Sequence, residues 1–237
     1  MSDHAAKADV DIVEPVIAEG VDDEPVENNR RAFTGRTALL VAAISAVYAA
    51  FHMIALNGVS ISAMTGITIP LLPTLPMETW NFRIIHIAGA LALGFVLFSG
   101  ASFESDDRPA TKLLNYAGWL AVAGGLFALA MAVSFSLEIS GGRMWNGIDP
   151  QIRFNETWLF GAPLVASTVL GIGLSWVNRQ SKGAISVPDL ALVICGFAVA
   201  AYLMTIFGTQ MRNATGTPFA PIGMSIAAVA GTLLILE

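Results

Sequence analysis

Two histidines, His52 and His86, are the residues whose type and placement come closest to a reactive pair. His52 falls late in one apolar run and His86 early in the next, so on antiparallel helices both would stand near one membrane interface at similar depth. Imidazoles facing each other across two helices can ligate haem or another metal through neutral nitrogens; at an interface they also hydrogen-bond to backbone or headgroups. Asp189 opens a later apolar run, where a carboxylate near a helix N-terminus is favoured by the helix dipole. The single cysteine, Cys195, lies inside an apolar run and gives neither a disulfide framework nor a multi-cysteine metal site. With no Ser/His/Asp or Cys/His set, no phosphate-cradling glycine loop and no HExxH motif, neither an enzyme activity nor a bound cofactor or metal is expected.

The elements that must position these residues belong to a membrane protein. Of 237 residues, 55% are hydrophobic and 13% charged, with a mean hydropathy of +0.67; soluble domains carry about 25% charged residues. A net charge of −6 and a pI near 5.0 remove the attraction on which nucleic-acid binding rests, so no nucleic-acid partner is expected. Nine of the eighteen Asp and Glu fall within residues 1–36. That segment reads as a disordered acidic tail: residues 1–29 lack aromatics and sustained periodicity, and no basic start followed by an apolar core marks a signal peptide.

A hydrocarbon layer about 30 Å thick takes roughly 20 residues of helix. Uncharged runs at 37–56, 84–103, 113–137, 158–178 and 190–208 meet that length, and a sixth, from Pro221, falls slightly short. Long runs without alternation predict helices rather than barrel strands, so the expected fold is an all-α integral membrane bundle of about six transmembrane helices. None of these runs contains Asp, Glu, Lys or Arg, the groups that usually carry ions or protons across a membrane. Lys7, Arg30, Arg31, Arg36, Arg108, Lys112, Arg179 and Lys182 flank one side and Arg83, Arg143, Arg153 and Arg212 the other, which puts the N-terminus and its tail in the cytoplasm. The proline-punctuated stretch within 57–83 suits an interfacial or re-entrant outer loop, and 138–157 a second outer loop with Trp145 and Phe154 in an aromatic belt. Close-packing positions are expected at Ala90 and Gly94, Gly171 and Gly173, and Ala227 and Gly231, while Gly124-Gly125 can mark a bend.

Two blocks of residues resemble a known family. YAAFHMIAL (48–56), followed by NFRIIHIAGALALGFVLF (81–98), looks like the opening helix pair of fused TRAP transporter permeases of the TAXI type, in which an Arg-x-x-His turn, here Arg83 to His86, begins the second helix. DLALVICGFAVAAYLMTIFGTQMRNATGTPFAPIGMSIAAVAGTLLILE (189–237) looks like the next pair, with Asp189, Tyr202, Arg212, Gly216, Pro218, Leu236 and Glu237 on the family's pattern. Residues 104–186 depart from that pattern. The organisation expected is therefore a tail over 1–36, two helices and a long outer loop over 37–103, two inserted helices within 104–186, and two helices over 187–237, with the family's large transport domain continuing downstream.

The resemblance implies a non-catalytic, small-subunit-equivalent scaffold, multi-pass in the bacterial inner membrane. It would brace an elevator-type domain importing a small organic solute of the carboxylate class, driven by an ion gradient and fed by a periplasmic substrate-binding protein. Arginines on the outer face would then anchor to headgroups or meet that protein. From the residues alone, a histidine-ligated redox (haem) subunit and a membrane accessory or assembly protein stand as alternatives.

Overall fold

A backbone amide inside a bilayer must find its partner within the protein, and helices, the form taken by most of the described residues here, supply that partner. The computed structural model describes residues 29–56, 79–100, 103, 111–145, 148–178, 182–212 and 222–237. They form α1 (Gly35–Leu56), α2 (Thr79–Leu97), α3 (Lys112–Ser140), α4 (Pro150–Phe154), a π-helical segment (Asn155–Gly161), α5 (Ala162–Val177), α6 (Val187–Arg212) and α7 (Ile222–Leu236). α4, the π segment and α5 are continuous, and this rod is one of five helical stretches long and apolar enough to cross a membrane. α7, with 15 residues, is apolar but shorter. The first 28 residues, most of the loop over 57–83, Gly216 and Pro218 lie outside the described residues.

α6 is the axis of the bundle. Just over half of its span, 56%, is buried inside the protein, against 0% for α1. Leu192, Cys195, Val199, Tyr202 and Ile206, three or four residues apart, line the buried face of α6 and pack on Ala128, Ala132 and Phe135 of α3, Phe160 and Leu164 of the rod, and Ala227, Ala230 and Leu234 of α7. Glycines set how closely the helices approach. A Cβ at Gly125 would lie 3.2 Å from Cys195 Sγ, and one at Gly171 2.8 Å from Leu192 Cδ2. Gly124 faces Ser167 in the same way, so Gly124-Gly125 serves close packing, and α3 runs through it without a break. Ala227 also lies in the core, whereas nothing stands within 4 Å of a Cβ built at Gly94 or Gly173.

The fourth span begins earlier than its uncharged run suggests. Asp149 Oδ1 accepts from the Gln151 N–H at 2.8 Å and Pro150 occupies the first turn, a strong helix start eight residues ahead of 158. Residues 150–157 are thus helix, not outer loop, and Glu156 falls inside a membrane-length rod. The expectation that the spans hold no Asp, Glu, Lys or Arg is corrected accordingly.

At the other end of the bundle, the residues before α1 are tied down. Arg30 forms an isolated antiparallel bridge with Phe98, the Arg31 N–H donates to Leu97 O at 2.7 Å, and the Ala32 N–H donates to Lys182 O at 2.8 Å. The Arg31 side chain is buried. Its Nη1 donates to the carbonyls of Phe95 (2.6 Å), Phe98 (2.7 Å) and Val96 (3.2 Å) at the C-terminal end of α2, and its Nη2 pairs with Asp189 in the first turn of α6. Ser186 completes the start of α6, donating to Asp189 Oδ2 at 2.6 Å and accepting from the Asp189 N–H at 3.2 Å. The cation thus sits at the negative end of one helix dipole and the anion at the positive end of another. Asp189, expected only to complement a dipole, is one half of a buried ion pair.

Removing one partner of such a pair strands the other charge, at a cost of about 3–5 kcal/mol. Arg31→Met should lower the unfolding free energy in detergent micelles by that amount. Arg31→Met combined with Asp189→Leu should recover at least half of the loss. A single variant within about 1 kcal/mol of the parent, in the range typical of surface pairs, would contradict this reading.

Candidate functional site

A second polar cluster in the interior is built around Glu156, which has no solvent exposure. It sits in the first turn of the π segment, a wide-turn geometry that often marks functional positions. The segment ends at Gly161, where a Cβ would stand 2.6 Å from Ile226 Cδ1 and 2.9 Å from the Glu156 carbonyl oxygen. A larger residue there would displace the Ile226 side chain of α7 and press on the backbone of the π segment. Three donors converge on the carboxylate: Trp145 Nε1–H at 2.7 Å and Tyr202 O–H at 2.6 Å, both to Oε1, and the Gly223 N–H at 3.3 Å to Oε2. Gly223 lies in the first turn of α7, so its amide has no partner within the helix and points the positive end of that helix at the anion. The Tyr202 ring reaches the carboxylate only because Gly223 has no side chain: a Cβ there would overlap the phenol oxygen.

Aromatic rings close the site. Phe160 stacks on Tyr202 with centroids 4.5 Å apart and planes 18° apart, while Phe135 lies 4.9 Å from Trp145 and 6.3 Å, edge-on, from Tyr202. All three polar partners donate and the carboxylate only accepts, so the arrangement is a fixed acceptor joining four parts of the chain: the α3–α4 connection, the rod, α6 and α7. Among the described residues, no group of three or more His, Cys, Asp or Glu is placed to hold a metal ion.

A third polar cluster is the histidine pair. His52 Nε2 lies 2.6 Å from His86 Nδ1, so the two side chains expected to share a depth do meet. His52 Nδ1 is 2.7 Å from the Tyr48 carbonyl oxygen, which can only accept. Nδ1 therefore carries the hydrogen in neutral His52, Nε2 accepts, and His86 Nδ1 donates to it. Tyr48 O–H donates to the His86 carbonyl oxygen at 2.5 Å, and Phe82 stacks on His86 at 6.2 Å. Two nitrogens on one metal, each at about 2.0–2.1 Å, stand roughly 3 Å or more apart. The observed spacing is that of a hydrogen bond, and the pair latches α1 to α2.

The other positions singled out in the sequence are spread over the bundle. Arg83 lies on the surface with its guanidinium 5.2 Å from the Trp80 ring centroid. Arg212 is the last residue of α6. Glu237 accepts from Ser175 Oγ at 2.6 Å and from Trp176 Nε1 at 2.8 Å, fastening the end of α7 to α5. Arg143 pairs with Glu138 and stands 5.8 Å from the Trp145 ring centroid, whereas Arg153 is exposed. Asp189, Tyr202 and Glu237 each meet a polar partner outside the two blocks that carry the family resemblance: Arg31, Glu156, and the Ser175-Trp176 pair. Sequence reasoning missed Glu156, Trp145 and Arg31 as site residues. The Asp149-Pro150 helix start was the available signal for the first, while no local signal marks a partner 158 residues away for Arg31.

A buried donor or acceptor left without its partner costs about 1–3 kcal/mol. Tyr202→Phe and Glu156→Leu should each destabilise the protein by at least that much in detergent unfolding. The double variant should lose clearly less than the sum, with a coupling of at least about 1 kcal/mol. Strict additivity would show that the two groups do not act together.

Neither protein-family models, nor curated proteins, nor solved structures provide a match to this chain.

Proposed function

We propose that this chain is a non-catalytic membrane scaffold: the small-subunit-equivalent region of a TRAP-type permease, as its resemblance to the TAXI type implies. On this reading it lies multi-pass in a bacterial inner membrane with its N-terminus in the cytoplasm. It braces the large transport domain of the same permease, which imports a small organic solute of the carboxylate class, driven by an ion gradient. A periplasmic binding protein delivers the solute to the outer face.

One observation carries the reading: the buried ionic groups are engaged in holding helices together. Arg31 and Asp189 fasten α2 to α6, and Glu156 fastens the rod to α6 and α7. Proteins that move ions through their own core place such groups where a solute or water can reach them. Here the cleft beside α1 and α2 is lined almost wholly by apolar side chains, and the hollow at its Arg30 end is reached by Arg31 but, among the described residues, by neither Asp189 nor Glu156. Three of the residues on the family's pattern, Asp189, Tyr202 and Glu237, likewise act on helix placement.

Deleting the chain from its native cells should abolish gradient-driven, binding-protein-dependent uptake of small carboxylates. Glu156→Gln should reduce that uptake only in proportion to the folded protein remaining in the membrane, measured by quantitative blotting. Uptake that survives the deletion, or that vanishes in Glu156→Gln at full abundance, would contradict the proposal.

A further inference from the structure

We propose that the π segment is a register switch held in its wide form by Glu156: opening the contacts of this carboxylate lets the rod relax to continuous α-helix and turns Pro150–Phe154 by one residue position relative to α5. The spacing of the buried residues shows why a wide turn is needed. In α5 the buried positions Leu164, Thr168, Gly171 and Ser175 stand three or four residues apart, the α-helical repeat. Ahead of them Ile152, Glu156, Phe160 and Leu164 are also buried, and these stand four apart throughout. Three turns of α-helix take about eleven residues, whereas Leu164 lies twelve beyond Ile152. The π segment, Asn155–Gly161, takes up the extra position: the Ala162 N–H donates to the Thr157 carbonyl, five residues back.

Both ends of this mismatch are fixed by other elements. Gly171 seats α5 against Leu192 of α6, and Ser167 faces Gly124 of α3. At the other end Glu156 is bonded to Trp145, Tyr202 and the Gly223 N–H, and Ile152 lies in the main core. The α register is the alternative packing. Counting back from Leu164 in α-helical turns brings Phe160, Thr157 and Arg153 to the buried face, in place of Glu156 and Ile152. Burying Arg153 and exchanging a carboxylate for a hydroxyl oppose that register, while the rarity of the π turn opposes the observed one. Two packings of one sequence a single residue position apart make a bistable element. A partner that binds Arg153 or Phe154, both exposed here, more tightly in one register would move the switch. Glu156→Gln retains Oε1, the oxygen that accepts from Trp145 and Tyr202, and so retains the wide form. The switch does not depend on the scaffold reading.

Spin-label distances in the full 237-residue chain in detergent test the switch, with Cys195→Ala so that only introduced cysteines react. Leu137 on α3, Phe154 and Val169 are exposed. Labels at Leu137 and Phe154 report the turning part, and labels at Leu137 and Val169 report α5. Turning a helix of about 5 Å radius by about 100° moves a surface residue by roughly 8 Å. Folded Glu156→Leu should therefore shift the first distance by several ångströms and leave the second in place, whereas Glu156→Gln should leave both. Deleting Trp158, an exposed residue of the π segment, removes the extra position. That chain should fold, keep the parent's first distance, and keep it when Glu156→Leu is added. An unchanged first distance in folded Glu156→Leu, equal displacement of both pairs, a deletion that does not fold, or a shift that persists in the shortened chain would each overturn the proposal.

Discussion

A charge buried among apolar helices must find its partner inside the protein, because the apolar side chains around it supply none. In this bundle that requirement is met twice along α6. Asp189, in its first turn, binds Arg31, and Tyr202, thirteen residues further on and about 20 Å along the axis, binds Glu156. Each contact is specific in geometry, whereas the apolar contacts between them are not. The two clasps fix the depth and rotation of α6 relative to its neighbours, a role that nondirectional packing of Leu, Ala and Val fills poorly in lipid.

The remaining features follow from holding α6 in that position. Gly125 and Gly171 let α3 and the rod approach α6, and Gly161 and Gly223 let α7 and Tyr202 reach the Glu156 carboxylate. Helices distant from the clasps are held more lightly. α1, with no part of its span buried, is joined to the bundle by the latch at Tyr48, His52 and His86 and by the short extended stretch at Arg30–Ala32. The crevice between α1 and α2 is the consequence: two joints at the ends and nothing forcing contact between them.

Hydropathy made the helical class and the positions of the apolar runs legible, because crossing hydrocarbon dictates a run length that composition alone reveals. The meeting of His52 with His86 was also legible, since two antiparallel spans place them at one depth. Glu156 is hidden in the sequence because a charged residue marks the edge of an apolar run. Its three donors come from Trp145, Tyr202 and Gly223, distant in sequence, so nothing local announces that the charge is satisfied. Arg31 was read as a flanking base for the same reason: its acceptors are carbonyls of α2 and a carboxylate of α6. The π segment, which ends at Gly161 where the chain lies close against Ile226, is likewise encoded by no periodicity.

The claim that these buried charges hold helices and carry nothing is tested most directly by ion flux through the purified chain. In vesicles loaded with a pH-sensitive dye, an imposed proton gradient should decay at the rate of protein-free vesicles, for the parent and for Glu156→Gln alike. A gradient that the parent dissipates and Glu156→Gln preserves would make Glu156 a carrier and contradict the account.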